Sequence, residues 1–169
     1  MTLIYRAGFQ LLKVRAVMLM GLAGAVAGCW FGWDLFQTYG IRPADGGQLA
    51  SLPVRLAWGL TVAALGLAFA GGMALYGTLY VGTIRYDAAA GTLHIRTVEF
   101  LVTGRKRVVP LSAIKGATRK AGRLENPGGV SVDAPWLALQ LKGRKWPLIV
   151  DAQGHFPDRA LAERVLKLG

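Results

Sequence analysis

Two uncharged runs dominate the hydrophobic pattern of the chain. The longer, Leu56–Ile84, reads LAWGLTVAALGLAFAGGMALYGTLYVGTI and holds no Asp, Glu, Lys, Arg or His over 29 residues. A bilayer-crossing helix needs about 20 apolar residues, and a small water-soluble domain has no place for a longer uncharged run. The other run, Ala16–Trp33 (AVMLMGLAGAVAGCWFGW), has 18 uncharged residues. As a helix rising ~1.5 Å per residue it spans about 27 Å, enough for the hydrocarbon core. The pattern predicts a transmembrane helix hairpin over 16–84, with spans at about 16–36 and 56–81. A turn-rich loop, Asp34–Arg55, joins them through YGIRPADGG.

Small residues mark both spans. Gly24, Gly28 and Gly32 recur at i, i+4 and i+8, and Ala64, Ala68 and Gly72 repeat the spacing in the second span. Such rows lie on one helix face and let another backbone approach, which drives association in lipid, where apolarity alone does not. The rows are expected to be helix-packing interfaces, either with each other or with a partner chain. Trp30, Phe31, Trp33, Phe36 and Trp58 cluster at the loop side and predict an interfacial aromatic belt. Asp34 is then an interfacial acid. The lone cysteine, Cys29, excludes an intramolecular disulfide framework and a cysteine-cluster metal site.

After Ile84 the period changes from helical to two. Thr83–Asp87 and Thr92–Leu101 read as a hairpin turning at Ala88–Gly91. Leu93 and Ile95 share one face, Val98 and Phe100 the other, so a bulge is expected near Arg96–Thr97. Gly104-Arg105-Lys106 reads as a turn before a strand at Arg107–Leu111, and Lys115–Gly129 reads as a polar loop containing Asn126-Pro127-Gly128-Gly129. Trp136–Lys142 alternates with Leu137, Leu139 and Leu141 on one face, and Lys145–Asp151 reads as an edge strand because of Pro147. Phe156–Leu168 reads as an amphipathic helix with Pro157 in its first turn and a stripe of Leu161, Val165 and Leu168. The fold class is therefore membrane α+β: a two-helix transmembrane hairpin, then a small antiparallel β domain of five to seven strands closed by a C-terminal helix. Its outline is similar to a pleckstrin-homology barrel by fold analogy alone.

Charge refines this division. Hydrophobic residues make up 53% of the chain, yet its net charge is +11. Such an excess implies anionic partners. Segment 1–15 is a basic juxtamembrane segment expected to stay in place, and 85–169 is a basic soluble domain with fifteen of the cations. Arg6, Lys13, Arg15 and Arg85 flank the spans, so both termini are expected in the cytoplasm or, in a mitochondrion, the matrix. The same four residues would hold anionic lipid such as cardiolipin or another phospholipid, the only bound small molecule expected. Three basic clusters lie at or near turns: Arg105-Lys106-Arg107, Arg119-Lys120 and Lys142-Gly143-Arg144-Lys145. Arg105, Lys106, Arg107, Arg144 and Lys145 form the expected docking surface. No aromatic nucleic-acid motif accompanies them, so nucleic acid is not an expected partner.

Catalytic constellations are not found. His94 and His155 stand outside any metal-ligand spacing, Asp87 and Glu99 make no credible acid/base pair, and there is no phosphate-cradling glycine loop. His94 reads as a solvated strand residue and His155 as a capping or loop residue. Neither an enzymatic activity, a metal, a cofactor nor a small-molecule substrate is expected.

The order of parts carries a resemblance. Leu3-Ile4-Tyr5-Arg6 precedes the hairpin, and the second span runs directly into Gly82-Thr83-Ile84-Arg85-Tyr86-Asp87. Gly91-Thr92-Leu93-His94-Ile95 and Val109-Pro110-Leu111-Ser112-Ala113-Ile114 follow. This layout resembles the mitochondrial inner-membrane family that includes transmembrane proteins 70, 186 and 223. The resemblance implies a two-helix protein of the inner membrane with both ends in the matrix. It further implies action as an assembly factor or accessory subunit of a respiratory-chain or ATP-synthase complex, with subunits of that complex as partners. A reading from another class is a bacterial plasma-membrane module with a pleckstrin-homology-like domain, binding lipid or a regulator.

Overall fold

The computed structural model describes residues 1–41, 47–98, 104–124 and 132–168. The expected turn at Asn126–Gly129 and residues Arg42, Asp45, Glu99 and Phe100 lie outside them. The chain forms two compact units, one of residues 16–75 and one of residues 1–15 with 76–169.

The first unit is the helix hairpin. Helix α1 runs Gln10–Thr38 and α2 runs Leu52–Leu79, and both are long and apolar enough to cross a membrane. Large side chains point outward: Met20, Trp30 and Phe31 on α1 and Leu60, Leu65 and Leu67 on α2 are all exposed. A water-soluble protein would bury this surface, so it faces lipid. At the loop end, Arg55 in the first turn of α2 donates from Nη1 to the Phe36 carbonyl oxygen at 3.1 Å, with its guanidinium 5.5 Å from the Phe36 ring centre. It thereby satisfies one of the orphan carbonyls that end α1.

The second unit begins at the N-terminus. Residues Thr2–Arg6 form β1, which pairs antiparallel with β2, Val81–Asp87. The juxtamembrane segment thus contributes a strand, so the chain enters α1 and leaves α2 through neighbouring strands of one sheet. A register shift between Leu3 and Tyr5 marks a bulge. It accounts for Ile4 and Tyr5, consecutive residues, both being fully buried. Strands β3 (Thr92–Thr97) and β4 (Lys106–Pro110) complete a sheet of order β1-β2-β3-β4. The expected bulge lies opposite Arg96–Thr97, between Val81 and Thr83 of β2.

A 3₁₀ turn, Leu111–Ala113, leads into β5, Ile114–Lys120. Much of the expected polar loop is therefore a strand. Its bulge between Ile114 and Gly116 and its exposed Arg119 and Lys120 hide an alternation carried only by Ile114 and Ala117. Strand β8 (Trp136–Leu141) is central, with β5 on one side and β9 (Leu148–Asp151) on the other, and it buries Leu137, Leu139 and Leu141. Arg123–Leu124 (β6) and Val132–Asp133 (β7) form a short separate ladder.

The final helix, α3, is shorter than the sequence suggests: Arg159–Leu166. Asp158 caps it by accepting from the Leu161 amide at 2.8 Å, which places Pro157 ahead of the cap instead of in the first turn. Ala162, Val165 and Leu166 are its buried face. Isolated bridges Arg6–His155, Tyr80–Ile149 and Ala117–Leu168 tie these elements together around a core of Ile4, Ile84, Leu93, Ile95, Leu139 and Leu148.

Candidate functional site

Within the hairpin unit, a seam of small residues brings the helices together. On α1 the buried residues are Met18, Gly21, Ala25, Gly28 and Gly32, a spacing that alternates three and four. On α2 the facing residues are Gly59, Ala63, Gly66, Ala70 and Met73. A β-carbon at Gly32 would lie 2.5 Å from the Gly59 carbonyl oxygen, and one at Gly66 would lie 2.8 Å from the Gly24 carbonyl oxygen. One at Gly28 would meet the Gly66 Cα and the Val62 carbonyl oxygen at 3.1 Å each. These are backbone contacts, so no side chain fits without parting the helices.

The sequence rows differ from this seam in an informative way. Gly28 and Gly32 lie on it. Gly24 is half-buried, and a β-carbon there would meet only the Phe69 ring, at 3.7 Å. Ala64 and Ala68 are exposed, and nothing lies within 4 Å of a β-carbon at Gly72. A strict four-residue step rotates about 40° around a helix each time, whereas alternating three and four drifts only about 20° per seven residues. The alternating pattern therefore stays on one face, and the second span's expected row turns away from α1.

In the other unit, two of the three basic clusters meet. Arg105, Lys106 and Arg107, leading into and along β4, line an open groove of about 480 Å³ with Lys142 and Arg144 from the β8–β9 turn. Val108, Val109 and Leu141 supply its apolar wall. Arg107 Nε and Arg144 Nη1 are buried without a hydrogen-bond partner. Burial, together with the guanidiniums of Arg107 and Arg105, pulls the Arg144 guanidinium below its ordinary value. Lys145 stands outside the groove, its Nζ 6.0 Å from the Trp146 ring centre. Arg119 lines a different cavity, beside Arg159 and Glu163.

A family model matches residues 10–165, nearly the whole chain: the TMEM70/TMEM186/TMEM223 protein family. The chain belongs to that family. No curated protein and no solved structure matches it. In this TMEM70-type chain the match takes in both membrane-capable helices, the groove and most of α3.

The remaining candidate residues of this TMEM70-type protein are spread out. Arg6, Lys13, Arg15 and Arg85 are all exposed, with Arg6 on β1, Arg85 on β2 and Lys13 stacked on Phe9, its Nζ 5.6 Å from the ring centre. His94 is half-buried in β3 between Arg85 and Val108 of the adjacent strands. The backbone of His155 pairs with that of Arg6, at 2.8 and 2.9 Å, while the helix cap is Asp158. Sequence reasoning also missed a polar network in the core. The Tyr80 hydroxyl donates to Asp151 Oδ2 at 3.0 Å, and the Asp151 amide donates to the Tyr5 hydroxyl at 3.1 Å. Burial, reinforced by the Asp151 carboxylate, raises the Tyr5 phenol well above its ordinary value. Alternation at Leu3–Tyr5 was the available signal, obscured by the bulge. Among the described residues no group of three acids, histidines or cysteines forms a metal site.

Proposed function

We propose that this protein is a non-catalytic accessory subunit of a respiratory-chain or ATP-synthase complex in the mitochondrial inner membrane, with both termini in the matrix. Membership of the TMEM70/TMEM186/TMEM223 family carries the reading. The hairpin supports it: its own seam closes α1 onto α2, while the row Ala64, Ala68 and Gly72 stays open for a partner helix. Basic residues on the sheet unit then dock on subunits facing the matrix, and the cations flanking the helices hold anionic lipid such as cardiolipin. The test is native-gel separation of mild-detergent extracts, with mass spectrometry of the band that holds the protein. Co-migration with a mature complex at matching stoichiometry is the expected result. Migration with partial complexes alone makes it an assembly factor instead, and migration by itself overturns the reading in favour of an independent lipid-binding module.

A further inference from the structure

The groove between β4 and the β8–β9 turn contains a charge arrangement that folding alone does not explain. Five cationic side chains, Arg105, Lys106, Arg107, Lys142 and Arg144, line one concavity, and no acid among the described residues lines it with them. Like charges held together repel, and a buried guanidinium N–H without an acceptor carries an uncompensated desolvation cost. Here there are two such groups, Arg107 Nε on β4 and Arg144 Nη1 on the β8–β9 turn, both in side chains that line the groove. Buried polar groups in native structures are nearly always satisfied, and here the two unsatisfied atoms belong to guanidiniums lining a groove of five cations, so the groove lacks a counter-charge.

We infer that this groove binds a phosphate group, held between Arg107 and Arg144 by their guanidinium forks. The chemistry selects the anion. Arg matches phosphate oxygens with paired N–H donors, and such charge-assisted bonds are about twice as strong as neutral ones. A carboxylate brings one charge and two oxygens, all in one plane. A phosphate monoester brings about −1.5 to −2 charges at neutral pH, on oxygens arranged tetrahedrally, so it can accept from both guanidiniums at once. The flanking Arg105, Lys106 and Lys142 add screening charge without needing contact. The groove is open, which suits a phosphate carried on a larger molecule as well as a free one. Burial is the main cause that lowers Arg144, and an anion there offsets the repulsion from Arg107 and Arg105 that adds to it. This inference goes beyond the assembly role and does not rest on it.

The test uses the purified full chain in dodecyl maltoside, in phosphate-free buffer of low ionic strength, with inorganic phosphate as the probe in a calorimetric titration. Saturable binding of one phosphate per chain is expected. The double variant R107Q/R144Q should bind at least tenfold more weakly. R119Q/K120Q removes equal charge outside the groove and should change affinity less than twofold. Phosphate should also raise the melting temperature of the wild type and of R119Q/K120Q but not of R107Q/R144Q, a readout that excludes misfolding of the variant. Dihexanoyl phosphatidic acid, compared with dihexanoyl phosphatidylcholine, names the source. Phosphatidic acid binding tenfold tighter than inorganic phosphate supports the site as one for a lipid headgroup, and equal affinities support it as one for free phosphate. Absence of phosphate binding, or equal losses in the two double variants, overturns the inference. So does a glutamate-rich peptide that binds where phosphate does not, which would make the groove a seat for an acidic protein.

Discussion

In the sheet unit the large side chains lie inside: Ile84, Leu93, Leu139 and Leu148 are fully buried. In the hairpin the order is reversed, with Trp30 75% and Leu65 66% exposed while Gly28, Gly32 and Gly59 are buried. Each unit follows its solvent. Water expels apolar area, so the sheets gain by burying bulk. Lipid does not expel it, so the helices gain by close backbone approach, which bulk prevents. A change that empties the interior should therefore cripple one unit, and a change that fills it should cripple the other.

The largest effect tests the first half of that contrast. Leu139→Ala removes a fully buried side chain from the central strand of its sheet and should cost about 2–5 kcal/mol. Leu67→Ala makes the same chemical change at a position 56% exposed on α2 and should cost less than about 0.5 kcal/mol in detergent micelles. Hydrogen exchange on the full chain, read segment by segment, separates the two. Comparable losses of protection would show that the hairpin's outer surface is packed, and the contrast would fail.

The reverse change is expected to be smaller and confined to one face. Gly66→Leu drives a side chain into the Gly24 carbonyl oxygen and the Ala25 and Gly28 Cα atoms. Overpacking of this kind costs about 1–3 kcal/mol and should speed exchange in both 16–38 and 52–75. Gly72→Leu, about 1.7 turns along the same helix, meets open space and should leave both segments as they were. The second variant also reports on assembly: it should weaken co-migration with a larger complex if the row at Ala64, Ala68 and Gly72 receives a partner helix. Equal effects of the two variants on exchange would erase the distinction between the faces.

How much of this was legible depended on how local the cause is. The helices were plain because 29 uncharged residues need no tertiary context to be read. The packing face was only half legible. A four-residue glycine row catches Gly28 and Gly32, but it takes the helical period to see that Gly21, Ala25 and Gly66 continue the seam and Gly72 does not. Strand β1 was missed because its partner, β2, begins about 80 residues away and its bulge breaks the alternation. Strand β5 was missed because its exposed Lys115, Arg119 and Lys120 outweigh its two buried residues, Ile114 and Ala117. For the groove, each basic cluster was visible, but their meeting depends on an edge strand of one sheet coming beside a turn of the other. That is a tertiary fact with no signature in spacing.

The smallest effect concerns the polar network inside the sheet unit, which has no counterpart among the small residues of the helix seam. Tyr5 is fully buried, its ring 5.0 Å from that of Phe156, and its hydroxyl accepts from the Asp151 amide. Burial in the first place, and the Asp151 carboxylate after it, hold the phenol protonated well above its ordinary range. An unfolded tyrosine releases its proton near pH ~10. Above that pH the unfolded chain binds fewer protons than the native one, so the slope of unfolding free energy with pH is negative. The stability associated with the protonated Tyr5 is fully present below about pH 10 and is lost as pH climbs toward the raised native value. Tyr5→Phe removes this term while leaving the Asp151 amide without its acceptor. The variant should be less stable by about 1 kcal/mol at neutral pH, yet its melting temperature should fall less steeply between about pH 9 and pH 11. Parallel melting curves for the two proteins across that range would mean that water reaches the Tyr5 hydroxyl, and that this core is not dry in the way its packing implies.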